Sequence, residues 1–125
     1  MTADEFREMA LGLDGVVERA HMGHPDFRAN GRIFATLQAD ERRGMVQLKP
    51  EEQRELLRSH PDVFTPASGA WGRGGSTMVQ LSIADRSVVR GAMILAWEHS
   101  AEKPPPKRRA PASRKPAARR STKRR

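Results

Sequence analysis

The segment His21-Met22-Gly23-His24-Pro25-Asp26-Phe27-Arg28-Ala29-Asn30-Gly31-Arg32-Ile33-Phe34-Ala35-Thr36-Leu37 holds two runs able to pair as strands on either side of Asn30-Gly31. A two-residue type I′ turn needs positive φ at both central positions, which Asn and Gly tolerate best, so a hairpin is predicted. Counted outward from the turn, Ala29 faces Arg32, Arg28 faces Ile33 and Phe27 faces Phe34, an expected aromatic pair across the strands.

Upstream, Thr2-Ala3-Asp4-Glu5 reads as a capping box, and Phe6, Met9, Ala10 and Leu13 recur at helical spacing, with Gly12 or Gly15 as the stop. Residues 16–22 form the expected first strand, closed by a Gly23-His24-Pro25 bend. Downstream, the polar loop Asp40-Glu41-Arg42-Arg43-Gly44 leads into Met45-Val46-Gln47-Leu48-Lys49, where Val46 and Leu48 share a face. Pro50-Glu51-Glu52-Gln53 starts a helix: Pro sits where a missing amide costs nothing, and the acids where the helix dipole favours them. This helix carries Leu56 and Leu57 and ends by Pro61; residues 61–76, rich in Gly and Pro, read as an irregular connection. Thr77 to Ile83 alternates as a strand, Val79, Leu81 and Ile83 inward, Gln80 and Ser82 outward. Asp85 caps a last helix whose stripe Val89, Met93 and Trp97 is widened by Val88, Ala92 and Ala96. The order α-β-β-β-β-α-β-α predicts an α+β fold, an antiparallel sheet of about five strands with helices packed on it.

Three runs carry a family resemblance: Gly23-His24-Pro25-Asp26-Phe27-Arg28, then Asn30-Gly31-Arg32-Ile33-Phe34-Ala35-Thr36-Leu37, and later Phe64-Thr65-Pro66-Ala67 with Gly69-Ala70-Trp71-Gly72. Over about residues 5–99 the chain resembles the MmcQ/YjbR family of small bacterial proteins. The resemblance implies a frataxin-like (CyaY-like) fold and a double-wing DNA-binding role, in which hairpin tips and nearby loops touch nucleic acid. In this sequence the tips offer Arg28, Asn30 and Arg32 in one hairpin and Arg42 and Arg43 in the other, with Arg73 in the glycine-rich connection. Arg and Asn on a β-ribbon can read base edges in a major groove.

The net charge of +8 divides unevenly. Of 23 Lys and Arg, 11 lie after Glu102, where there is no acid; the remaining 12 face all 15 acids, so residues 1–102 carry −3 and the last segment +11. That segment is built from Lys, Arg, Pro, Ala, Ser and Thr, with no larger apolar side chain to offset the entropy of ordering, so residues 103–125 are expected to be disordered and residues 1–102 to form one domain. Its cations Lys107, Arg108, Arg109, Arg114, Lys115, Arg119, Arg120, Lys123, Arg124 and Arg125 can follow a phosphate backbone, giving salt-dependent affinity indifferent to sequence.

Other motifs point elsewhere. Gly69-Ala70-Trp71-Gly72-Arg73-Gly74-Gly75-Ser76 precedes a strand rather than a helix, so it misses the phosphate-loop patterns; Trp71 with Arg73 could stack on a base or a phosphate, but Trp71 is expected to be buried, docking the connection onto the sheet. His21, His24 and Asp26 are the candidates for a metal or acid/base site, but along one strand the two histidines point to opposite faces unless Gly23 bends the chain. His60 and His99 are expected at helix C-termini, and Asp4, Glu5 and Glu8 form only a short version of the acidic first helix with which frataxin-like proteins bind iron. With no Cys, no Tyr and no Gly-x-Ser-x-Gly elbow, no nucleophile is placed and no cofactor is expected. The absence of Cys fits a reducing cytoplasm, with association with the nucleoid as a further expectation; no signal peptide and no run of about 18 apolar residues is found.

The expected function is therefore non-enzymatic nucleic-acid binding by a monomer, with DNA preferred and RNA kept as a partner, and without membrane insertion. The alternatives are a protein-interaction module with an accessory polyanion-binding segment, and a metal-binding or enzymatic domain built on His21, His24 and Asp26.

Overall fold

Asn30 and Gly31 take φ of 57° and 75°, the left-handed pair a type I′ turn demands, and the hairpin forms around them. The computed structural model describes residues 1–102; the expected disordered segment 103–125 lies outside the described residues. The elements are α1 (Ala3–Leu11), β1 (Val17–His21), β2 (His24–Ala29), β3 (Arg32–Leu37), β4 (Arg43–Gln47), α2 (Pro50–Ser59), β5 (Phe64–Pro66), α3 (Gly69–Arg73), β6 (Ser76–Gln80), a 3-10 turn (Leu81–Ile83) and α4 (Arg86–Ser100). The strands form one antiparallel sheet in the order β1-β2-β3-β4-β6-β5. The sheet has six strands rather than about five, because Phe64–Pro66 pairs with β6 along its outer edge.

Local signals formed the ends of the helices. Glu5 N donates to Thr2 Oγ1 at 3.1 Å while Thr2 N donates to Glu5 Oε1 at 2.8 Å, the reciprocal capping box. Asp85 accepts from Ser87 N at 2.8 Å, and Pro50 opens α2. Helices α1 and α4 pack on one face of β3 and β4. There Phe6 meets Phe27 edge-on, with ring centroids 6.3 Å apart, above a core that includes Phe34, Leu37, Val46, Leu48, Phe64, Val79, Val89 and Met93. Gly44 belongs to this contact, since a Cβ there would run into the Phe6 ring.

The register departs from the count at one point. Ala29 opposes Arg32 and Arg28 opposes Ile33 as expected, but Phe27 opposes Ala35, so Phe34 is an extra residue on β3. A regular ladder would have turned Leu37 outward and Thr36 inward. The shift puts Phe34, Ala35 and Leu37 in the core and leaves Thr36 across from Asp26 on the opposite face. The gain in apolar burial outweighs the lost regularity of the ladder.

Three other expectations change. The first bend is Met22-Gly23, with φ of 51° and 83°, so His21 pairs directly with His24. Residues 61–76 hold β5 and the single-turn α3 instead of irregular chain, held by Gln53, whose Nε2 donates to Gly72 O, Ser76 O and Thr77 Oγ1 at 2.9 to 3.1 Å. The last strand ends at Gln80; Leu81 stays buried, but the 3-10 turn leaves Ile83 exposed.

Candidate nucleic-acid interface

Because α1 and α4 lie on one face, the other face of the sheet is not covered by a helix among the described residues. Cross-strand partners point the same way, so the register determines which side chains this face carries. They include Arg19 and His21 on β1, His24, Asp26 and Arg28 on β2, Thr36 on β3, Arg43, Met45 and Gln47 on β4, and Ser76 and Met78 on β6. A groove of about 470 Å³ crosses the face, from His21, Met22 and His24 over Ile33, Thr36, Met45 and Met78 to Gln47, Ser76 and Trp71. Its two margins are apolar and bare. Met22, at the turn between β1 and β2, is 91% exposed, and Trp71, on α3 beyond the opposite side of the sheet, is 78% exposed. The expected burial of Trp71 is thus corrected: with α3 a single turn at the sheet's end and Gly72, not Trp71, set against the chain, the indole faces the groove mouth.

One polar cluster stands within the face. Asp26 is wholly buried, and its carboxylate accepts from Arg28 Nε at 2.7 Å and Nη2 at 3.1 Å, and lies 2.6 Å from His21 Nδ1. The Arg28 hydrogen bonds hold the Asp26 carboxyl below its ordinary value, opposed by burial and assisted by His21. His24 stacks edge-on against His21 at 4.5 Å, and its buried Nδ1 has no hydrogen-bond partner among the described residues. The Met22-Gly23 turn thus brings together the two histidines that a continuous strand would have separated. No group of three or more metal-ligating side chains occurs among the described residues, however.

A carboxyl whose native pKa is depressed contributes stability that is complete above its unfolded value, near 4, and is lost as pH falls through the lower native value. Asp26→Asn is therefore expected to lower stability by about 2 kcal/mol at pH 7, since an amide keeps the shape and loses the charge-assisted bonds. Thermal unfolding followed from pH 7 to pH 3 checks this: the gap between wild type and variant should narrow below about pH 4, as the carboxylate of the unfolded chain takes up a proton before the native one does. A gap that stays constant across that range would refute the assignment.

The uncovered face differs in charge from the domain as a whole. On the uncovered face Arg19, Arg28 and Arg43 meet one acid among the described residues, Asp26, which is buried and paired. Seven of the 15 acids lie on the helices, Asp4, Glu5, Glu8, Glu51, Glu52, Glu55 and Glu98, beside six Arg on the same helices. Glu18, on the helix-facing side of β1, is held by Arg7 of α1 at 3.1 Å. Asp40 and Glu41 stay in the loop between β3 and β4.

The residues singled out from the sequence separate accordingly. Arg28 and Arg43 reach the uncovered face, Arg42 lies in the loop just before Arg43, and Arg73 ends α3. Asn30 and Arg32 are drawn to the end of α4, Asn30 Nδ2 donating to Ser100 Oγ at 3.2 Å and Arg32 Nη1 to His99 O at 3.5 Å. The ten cations from Lys107 to Arg125 lie outside the described residues. Arg19, Met22, Met45 and Met78 were not singled out. Met22-Gly23 carried the one available signal, an apolar residue in a dipeptide where Asn-Gly is the usual occupant.

A six-stranded antiparallel sheet with helices on one face and a largely apolar groove on the other defines an α+β domain of a recognisable class. The YjbR family model matches residues 11–99, and the chain belongs to the YjbR family. Its fold is similar to the crystal structure of Deinococcus radiodurans protein DR2400, a DUF419 protein, with a TM-score of 0.70 and 17% identity over 86% of this chain and 83% of that one. No curated protein matches the chain.

Proposed function

We propose that the chain is a non-enzymatic nucleic-acid-binding protein, with DNA as its partner, acting in the cytoplasm at the nucleoid. The observation that carries the reading is the charge of the uncovered face: Arg19 and Arg43 stand exposed on it, and its one acid, Asp26, is buried and paired with Arg28. A polyanion approaching that face meets cations beside a low-dielectric apolar floor. The Asn30-Gly31 tip lies at the opposite end of the sheet from residues 38–42, so the wings of this reading are the loops of the β1–β2 and β3–β4 hairpins, Met22-Gly23 and residues 38–42, which leave the same end. The 11 cations after Glu102 add phosphate contacts that carry no sequence information.

The test compares two double variants of the full chain with equal change in charge. Arg19→Glu with Arg43→Glu, on the uncovered face, is expected to weaken duplex binding by about tenfold more than Arg54→Glu with Arg90→Glu on α2 and α4. Fluorescence anisotropy titration at fixed salt reads the difference. Equal losses would mean that only net charge matters and that the face has no part in binding.

A further inference from the structure

We infer that the groove across the uncovered sheet face is a binding site for unpaired nucleobases of a single strand, with Trp71 as the stacking platform; this rests on the nucleic-acid reading above. Five observations converge on that occupant.

Trp71 and Met22 are large apolar side chains left 78% and 91% exposed at the two margins of one groove. Met22 stands there at a cost, since φ of 51° is a conformation that side chains other than Asn or Gly adopt unwillingly. Asn at this position would give a better turn, so the turn does not explain the methionine. Between the margins, Met45 and Met78 are cross-strand partners that form a polarizable floor, suited to a flat ring that varies in its substituents.

Polar groups lie where base edges would fall. Thr36, Gln38 and Gln47 line the groove as neutral donors and acceptors, and the buried Nδ1 of His24 lacks a partner among the described residues. A site for a lipid chain would not need them. Cations flank the floor in the form of Arg19 and Arg43, placed to meet the phosphates that join successive bases.

The groove spans β1 to β6, four inter-strand spacings or about 19 Å, which suits a short run of strand rather than one small molecule. A duplex keeps its bases stacked on one another, so it offers this face its phosphates but not the faces of its bases.

The experiment uses the full chain and three labelled probes: a twelve-residue oligothymidylate, the same backbone without bases, and a twelve-base-pair duplex. The base-less strand keeps the phosphates, so its binding measures the electrostatic part alone. Wild type is expected to bind oligothymidylate about tenfold more tightly than the base-less strand, and Trp71→Ala to erase that preference while leaving duplex affinity within about twofold. Stacking also quenches the exposed Trp71; Trp97, whose Nε1 donates to Asp14 O, supplies the unquenched background. Met22→Asn is expected to raise Tm by about 2–4 °C and yet reduce the preference for bases, which separates binding from folding.

Equal wild-type affinity for the strand with and without bases would overturn the inference while leaving the nucleic-acid reading intact. Failure of wild type to bind any of the three probes would overturn both. A concentration-dependent dimer in sedimentation that Trp71→Ala dissolves would assign the groove to a second copy of the chain and overturn the inference too.

Discussion

Removal of residues 103–125 is expected to lower affinity for duplex DNA by about two to four orders of magnitude near 50 mM salt and to flatten its salt dependence. Each phosphate neutralised releases close to one condensed counterion, so the slope of log affinity against log salt counts contacts directly. If half of the 11 cations after Glu102 engage at once, the full chain should show a slope steeper by about 5 than residues 1–102. Residues 1–102 contain the whole sheet, both packed helices and the core, so the shortened chain keeps its fold. Its residual binding should come from the uncovered face and depend on Arg19 and Arg43. Salt titrations of both chains on one duplex measure this; equal slopes would show that the basic segment makes no phosphate contact.

Gly75→Ala is expected to cost about 2–4 kcal/mol, a large part of the stability of a domain this small. Gly75 has φ of 111°, which an L side chain rarely adopts, and a Cβ there would collide with the Leu48 carbonyl oxygen. Neither partner can give way cheaply, because Leu48 N also donates to Gly75 O at 3.0 Å and Leu48 is fully buried. Gly72 faces the same restriction against the Ala67 carbonyl, so the two glycines clamp α3 from both sides and set where Trp71 stands. Urea unfolding followed by circular dichroism checks the value, with Gly91→Ala as the control. Gly91 lies mid-helix in α4 with open space around its Cα, so alanine there should stabilise by about 0.5–1 kcal/mol. A Gly75 variant as stable as wild type would mean that the loop before β6 relaxes freely.

Much of the fold was legible because its signals are local. A capping box needs only Thr2 and Glu5, a type I′ turn only Asn30 and Gly31, and an amphipathic helix only the spacing of Val89 and Met93. The misses share a cause as well. Phe27 opposite Ala35 instead of Phe34 depends on whether Leu37 finds room inside, and that is decided by α1 and α4. The strand Phe64–Pro66 is three residues long and exists only because β6 offers it an edge. Trp71 looked like a core residue by type, and only the placement of α3 turns it outward. The candidate site was less legible than the fold. Arg28 and Arg43 were within reach, but their partnership with Arg19 requires the order of strands, and the groove requires knowing which face the helices leave open.

What the sequence by itself determined was the set of short-range elements, the family, and the concentration of 11 cations beyond Glu102, all of which follow from residues close together in the chain. What only the tertiary structure decided was sidedness. The overall charge of residues 1–102 is negative, yet the uncovered face carries three Arg and one buried acid, because side chains alternate across a strand and one inserted residue or one covered face redirects every alternate group. That is why Asp26 and Arg28 neutralise one another, Arg19 and Arg43 face outward beside Met45 and Met78, and the acids of α1 and α2 lie on the other side.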